Sequence, residues 1–459
     1  MKLPATSDSK PVCEFVVFCT WRRPRAVPLS RFDFLLDKEK NRMRLSSFRP
    51  SRPTLLNLAA AGALTVLAGC AHLSPNGESR PAIASGPAGD AFYTPPATLP
   101  EGKHGDVIWA RDLTNEAALP SAGQNWLVLY RSTNIAGEPI AVSGTVAIPK
   151  GTPPEGGWPV ISWTHGTTGI ADVCAPSKNG PDYLDRDYVS GINVTLDQWV
   201  QRGYAVVKTD YEGLGTPGTH PYLNGPSEAR GATDMVLAAR QVNPALSRDW
   251  LVMGHSQGGQ AAAYAAYLGP IYAQDLNLTG AIAISPASHI SVQLKYIETH
   301  PDMPGSAFTP LILASLAHSA PGVDLDKLLT EEGRKRIGMV DEGCIGELRR
   351  PDGWAVTNNK LLNTNADFKA LNAAAASLTD VENVRPSVPL LVLQADHDHI
   401  VLKPFTDMMV ARFKNLGVQV DYRTYPIQGQ APAVHRDTVP ASLADAMDWA
   451  NQYLPAARH

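Results

Sequence analysis

Between residues 250 and 267 the chain reads WLVMGHSQGGQAAAYAAY. Trp250 to Met253 form a short apolar strand, and the Ala-rich run from Gln260 has the composition of a helix. Gly254, Ser256 and Gly258 between them make a Gly-x-Ser-x-Gly turn. Small residues two before and two after Ser256 permit a tight strand-to-helix turn that presents its hydroxyl above a sheet, while the helix N-terminus favours developing negative charge. Taken bare, the pattern is a common glycine turn without chemistry. With the flanking strand and helix, Ser256 is a candidate nucleophile.

The same alternation of short apolar strands and helix-like stretches runs on both sides of this turn, from PVISWTH at Pro159 through AVVKTD to AIAISP. It predicts a mostly parallel sheet covered by helices. Upstream, Trp126 to Arg131 and Ile140 to Ile148 read as an antiparallel pair around a Gly137-Glu138-Pro139 turn. Downstream, about 100 residues separate Pro286 from the next strand, PLLVLQ at 389–394. A structureless loop of that length is implausible in a compact fold, so residues 287–387 are expected to form a largely helical cap insertion.

A serine hydroxyl is a weak nucleophile until a base takes its proton, so a histidine is required near the last strands. Beyond the strand at 389–394 only His397, His399, His435 and His459 remain. His435, expected in the loop after a strand from Val418 to Tyr425, is the candidate base. Two carboxylates, Asp396 and Asp398, follow PLLVLQ; Asp398 is preferred because Asp398-His399-Ile400-Val401 has the D-x-x-V form of a triad acid. The order Ser, Asp, His is that of the α/β-hydrolase fold. Gln257, through its amide, and Thr167 in the His165 to Gly169 loop, with Thr168 as the alternative, are the expected oxyanion donors. A metal reading of Asp396 to His399 fails because alternate residues of an extended segment point to opposite sides. The Asp210 to Gly215 segment is read as a structural turn, since its acidic side chains would repel phosphate.

These segments together resemble the secretory lipase family, the group that includes fungal lipase A, over about residues 100–455. The resemblance is carried by His165-Gly166 running into Cys174-Ala175-Pro176-Ser177, by Asp210-Tyr211-Glu212-Gly213, by the Gly254 to Gly259 turn, by Asp398 with Val401, and by Tyr425-Pro426 ahead of His435. It implies a serine ester hydrolase, a lipase or esterase that needs no cofactor or metal. It also implies a disulfide between Cys174 and Cys344 that ties core to cap. The run from Gln428 to Val434 is longer than in lipase A relatives. A serine peptidase or acyltransferase on the same fold, or a catalytically silent binding lipoprotein, are the rival readings.

From Met43 the chain reads MRLSSFRPSRPTLLNLAAAGALTVLAGC. Three arginines precede an uncharged stretch too short for the roughly 20 residues of a bilayer-crossing helix, which is the form of an export signal. Leu67-Ala68-Gly69-Cys70 resembles a bacterial lipobox, so Cys70 is the expected lipidation site, and Ala71 after it favours outer-membrane retention. Residues 1–42 are expected to be a misassigned upstream leader, and residues 71–100, rich in Pro, Gly, Ser and Ala, a flexible tether to a catalytic domain spanning 101–459. Without residues 1–70, the chain keeps 28 basic and 39 acidic side chains. That balance argues against nucleic acid and for a substrate that is neutral or cationic overall, with membrane association through the lipid anchor alone; with the ester-hydrolase reading, the expected substrate is a neutral ester or lipid. Cys174 and Cys344 are then the only cysteines left, compatible with one bridge in an exported chain.

Overall fold

The computed structural model describes residues 82–456. Its centre is a nine-stranded sheet in the order β1-β2-β3-β5-β4-β6-β7-β8-β9. The strands are β1 (Val107–Asp112), β2 (Gln124–Thr133), β3 (Pro139–Ile148), β4 (Trp158–Thr164), β5 (Ala205–Thr209), β6 (Leu246–His255), β7 (Asn277–Ile284), β8 (Leu390–Ala395) and β9 (Val420–Tyr425). β1, β2, β3 and β5 pair antiparallel, and every pairing from β5 to β9 is parallel.

Every residue of β4, β5 and β8 is buried, as expected of parallel strands covered on both faces. Side chains alternate between two apolar layers, because successive strand residues point to opposite faces. Val160, Trp250, Val252, Leu390 and Val392 face one layer with α2 (Gly225–Val242) and α3 (Gln257–Tyr272). Ile161, Trp163, Leu251, Met253, Leu391 and Leu393 face the other, with α1 (Arg186–Gln201) and the C-terminal helix α13 (Leu443–Tyr453). Five alanines of α3, at 261–263, 265 and 266, are fully buried. Their small side chains let that helix lie close to both α2 and the sheet.

Between β7 and β8 the chain leaves the sheet and builds a cap of helices. These are α4 (Ile290–Thr299), α5 (Phe308–Ser319), α6 (Leu325–Leu328), α7 (Glu331–Ile337), α8 (Ile345–Leu348), α9 (Asn358–Leu361) and α10 (Lys369–Leu378). The cap has an apolar cluster of its own, including Leu294, Leu311, Leu348, Trp354 and Leu371, which is why so long an insertion holds a structure. The chain then returns through β8, α11 (Lys403–Asn415), β9, α12 (Ala433–Ala441) and α13.

Cys174 and Cys344 are bonded to each other across 170 residues of sequence. Ile345 N donates to Thr168 O at 2.8 Å beside the bridge, so the first turn of α8 is pinned to the loop after β4. Closing so long a loop restricts the unfolded chain strongly. Paired replacement of Cys174 and Cys344 by Ala is expected to lower the unfolding free energy by about 3 kcal/mol, read from urea titration. An unchanged midpoint would contradict this.

Two expectations are corrected. The tether does not extend to residue 100: Phe92 and Tyr93 are buried against Leu113, Leu127 and Leu129, and Trp109 Nε1 donates to Phe92 O at 3.0 Å. Two adjacent aromatics supply the burial that the surrounding Pro, Gly and Ser lack. His435 lies in the first turn of α12, not in a loop; Pro432 immediately precedes that helix, which is too short to show a period. Residues 1–42, the expected export signal at 43–70 with Cys70, and the start of the expected tether lie outside the described residues.

Candidate active site

Because β4, β6, β7, β8 and β9 run parallel, the loops leaving their C-terminal ends all emerge along one edge of the sheet, the edge where such folds bind ligands. Ser256 follows β6, the His165 loop follows β4, Asp398 follows β8, and the segment after β9 leads to His435.

Ser256 has φ 59° and ψ −118°, a conformation costly for a residue with a Cβ. The turn is held by Ser256 N donating to Ile284 O at 2.9 Å and by Gln260 N and Ala287 N donating to Ser256 O, each at 3.1 Å. Gly254 and Gly258 are required by space. A Cβ on Gly254 would meet Thr164 Oγ1 and the Gly258 carbonyl, and one on Gly258 would meet the Thr164 carbonyl. Thr164 Oγ1 donates to Gly258 O at 2.7 Å, stitching β4 to the start of α3.

Asp398 and His435 meet: His435 Nδ1 donates to Asp398 Oδ2 at 2.7 Å. The other oxygen, Oδ1, accepts from Ile400 N at 2.9 Å and Val401 N at 3.0 Å, so the D-x-x-V spacing closes a turn on the carboxylate itself. Burial alone would raise the Asp398 carboxyl, but the charge and hydrogen bond of His435 and these two amides outweigh it, holding it below the usual range. Asp396 is not in contact with the imidazole; its amide donates to Tyr425 O. His397 and His399 are exposed. Among the described residues, no group of three or more His, Cys, Asp or Glu side chains is placed to hold a metal ion. His435 Nε2 is buried without a hydrogen-bond partner, and it shares a cleft with Ser256 and Thr167.

Thr167 and Thr168 are separated by their surroundings. Thr167 borders the cleft, with Oγ1 2.7 Å from Tyr222 Oη, whereas Thr168 is fully buried beneath the cap connection. Gln257 opens α3, so its amide is among the helix donors without an intrahelical acceptor. Its side-chain amide donates to Glu228 Oε1 at 2.7 Å and lies 3.0 Å from His220 Nε2. Burial pushes Glu228 up to about 8 and His220 down to about 3. At neutral pH His220 is therefore uncharged and accepts from Gln257.

His255 carries no mark of function in the sequence, yet its Nε2 donates to the His435 carbonyl at 3.1 Å and its Nδ1 accepts from Tyr188 Oη at 2.9 Å. Burial, and then the neighbouring His435, push His255 well below its ordinary value; a neutral imidazole can donate and accept at once. The residue beside Ser256 thus holds the backbone that carries His435. Tyr188 lies 67 positions away, and no local pattern announces the pairing. The Asp210 to Gly215 turn is structural: Tyr211 Oη donates to His165 O at 3.0 Å, and Asp210 Oδ1 accepts from Ser177 N at 2.9 Å.

Two clefts open at Ser256. One runs beneath the cap between α4, α5 and the loop after β8, lined by Leu223, Ile290, Leu294, Ile312, Val401 and Phe405, with no acidic side chain and no Lys or Arg on its walls. The second, on the His435 side, is lined by Tyr183, Asp185, Arg349 and Arg436.

A strand-loop edge of this kind on a mostly parallel sheet with a helical cap defines an α/β-hydrolase. The chain belongs to the secretory lipase family, whose model matches residues 191–455. Among its relatives, a protein named probable inactive lipase from Mycobacterium tuberculosis is 25% identical over 350 residues, covering 73% of this chain and 76% of that one. Lipase A of Moesziomyces aphidis is 27% identical over 306 residues, covering 64% and 62%. Among solved structures, Candida antarctica lipase A superimposes with a TM-score of 0.61 at 21% identity, covering 73% of this chain and 80% of that one. The family and these neighbours place the protein among lipase and esterase hydrolases.

Proposed function

We propose that the protein is an exported serine carboxylic-ester hydrolase working through an acyl-enzyme, with Ser256 as nucleophile, His435 as base and Asp398 as the acid that orients it. The observation that carries this reading is the His435 to Asp398 hydrogen bond at 2.7 Å, with His435 Nε2 left without a hydrogen-bond partner and His435 lining the same cleft as Ser256. A free Nε2 is what a base needs to take the serine proton, and catalytic hydrogen bonds often tighten only when substrate is bound. The amides of Gln257 and Thr167 are assigned to the oxyanion, since Gln257 opens α3 directly after Ser256 and Thr167, in the loop after β4, lines the same cleft as Ser256. The cleft under the cap, with no acidic side chain and no Lys or Arg on its walls, receives the acyl chain.

The test is hydrolysis of p-nitrophenyl esters from acetate to palmitate. Cleavage with a preferred chain length supports the assignment, and no cleavage of any ester by folded, disulfide-bonded protein overturns it. That outcome would move the weight to a silent binding role, of which the mycobacterial relative's name is a reminder.

Export rests on residues 43–70 and on the family. Cys70 is assigned the lipid anchor, and Cys70→Ser is expected to shift the protein from the membrane to the soluble fraction of expressing cells. Unchanged membrane association would sink the anchor.

A further inference from the structure

Glu228 on α2 is a fully buried carboxyl that no step assigned above uses. Its Oε1 accepts from Gln257 Nε2 at 2.7 Å and from Leu223 N at 2.9 Å, and its Oε2 is buried without a hydrogen-bond partner. A carboxyl only half satisfied in a core costs stability. What it touches accounts for its place.

Both contacts lead to the residues assigned to the oxyanion. Gln257 follows Ser256 and opens α3 with its own amide, and its side chain is fixed between Glu228 Oε1 and His220 Nε2, the latter at 3.0 Å. His220 is fixed in turn: its Nδ1 donates to Glu212 O at 2.9 Å, and its ring stacks on Tyr211. Leu223 has φ 60°, a conformation costly for a residue with a Cβ. It is held there from both sides, its N by Glu228 and its O by Gln260 Nε2 at 2.9 Å. The residue before it is Tyr222, whose Oη lies 2.7 Å from Thr167 Oγ1. One carboxyl oxygen therefore joins the first residue of α3 to the strained turn that reaches Thr167.

An oxyanion donor works because it is aimed before charge develops, and a misplacement of about 1 Å costs about 100-fold in rate. On the catalytic reading above, on which this inference rests, we propose that Glu228 is a positioning residue for both oxyanion donors, acting on Gln257 directly and on Thr167 through the Tyr222-Leu223 turn. It acts as the uncharged acid. Burial raises Glu228 to about 8, and a carboxyl protonated on Oε2 keeps Oε1 as an acceptor. Above that pH a carboxylate stands behind the donors, and its charge opposes the one that develops on the oxyanion. Facing Glu228 from the chain between β5 and α2 are Tyr211, His220 and Tyr222; burial holds the tyrosines above their ordinary value and His220 down at about 3. Glu212, bonded by Ser227, is raised to about 6 by burial. From α3 the contact is Gln257, which does not titrate. Of these groups, Glu228 is the one whose titration centres between about pH 7 and about pH 9.

The experiment measures kcat and KM for p-nitrophenyl butyrate from about pH 6 to about pH 9.5, against a Ser256→Ala blank, with a melting curve for each protein. The proteins are the full chain, Glu228→Gln and Glu228→Ala. Gln keeps the acceptor at Oε1 and cannot ionise. The unaltered protein is expected to lose kcat by about fivefold or more as pH rises through about 8, whereas Glu228→Gln stays level and within about threefold of it at about pH 7. Folded Glu228→Ala is expected to lower kcat at about pH 7 by about 10-fold to 100-fold with KM little changed, since the oxyanion forms only on the way to the transition state. An alkaline fall of the same size in the unaltered protein and in Glu228→Gln, or none in either, would overturn the proposal while leaving the hydrolase standing. So would a folded Glu228→Ala with unaltered kcat, or a Glu228→Gln as slow as Glu228→Ala; if the Ala variant does not fold, the Gln profile decides alone. Cleavage of no ester by the unaltered, folded protein would instead overturn the hydrolase reading, and this one with it.

Discussion

Replacing Ser256 by Ala is expected to lower kcat on any cleaved ester by on the order of 10³-fold to 10⁶-fold, without loss of thermal stability. Ala keeps the Cβ and so inherits the same strained φ of 59°. The backbone bonds to Ile284 O, Gln260 N and Ala287 N involve only main-chain atoms and survive. What disappears is the oxygen that attacks the acyl carbon. The amides assigned to the oxyanion remain, so a small residual rate over water is expected. His435→Ala should cost about as much, and the double variant little more, because nucleophile and base act as a unit. Steady-state kcat and a melting curve for each protein check this. A Ser256→Ala variant that kept more than about a hundredth of the activity would place the nucleophile elsewhere.

Asp398→Asn is expected to cost about 10⁴-fold in kcat with the structure retained. The carboxylate oxygen facing His435 Nδ1 accepts a hydrogen bond. An amide nitrogen in its place would offer a hydrogen instead and turn the imidazole to the tautomer that cannot take a proton at Nε2. Asp398 also ties stability to pH. Its folded carboxyl is held below the usual carboxylate range, so the stability it adds is present above the ordinary value near about 3.9 and is lost as pH falls through the depressed one. Urea titrations between pH 3 and pH 6 should show a steeper acid loss in the natural protein than in Asp398→Asn. Equal slopes would mean that Asp398 contributes no linked stability.

Much of this site was legible because its parts are short-range. The Gly254 to Gly258 turn depends on residues close together in the chain, and the glycines are demanded by atoms of β4 that any parallel neighbour would bring. Asp398 could be preferred over Asp396 because the D-x-x-V spacing is a local turn, with the Ile400 and Val401 amides closing on one oxygen. The helix that bears His435 was not legible. It runs for nine residues, too few for a period to emerge. The burial of Phe92 was hidden in the same way, since composition over a window dilutes two aromatics among prolines and glycines.

The alternation of strand and helix, the nucleophile turn, the order of Ser256, Asp398 and His435, and the existence of a long insertion were all contained in the sequence. Each is a matter of spacing along the chain, which periodicity and turn chemistry report directly. The fold alone brought His255 and Tyr188 under His435, separated Thr167 from Thr168, and set Glu228 against Gln257. Those pairings join residues from different elements across up to 180 positions. Neither partner carries a local mark of the other; packing of the cap and helices over the sheet is what creates them.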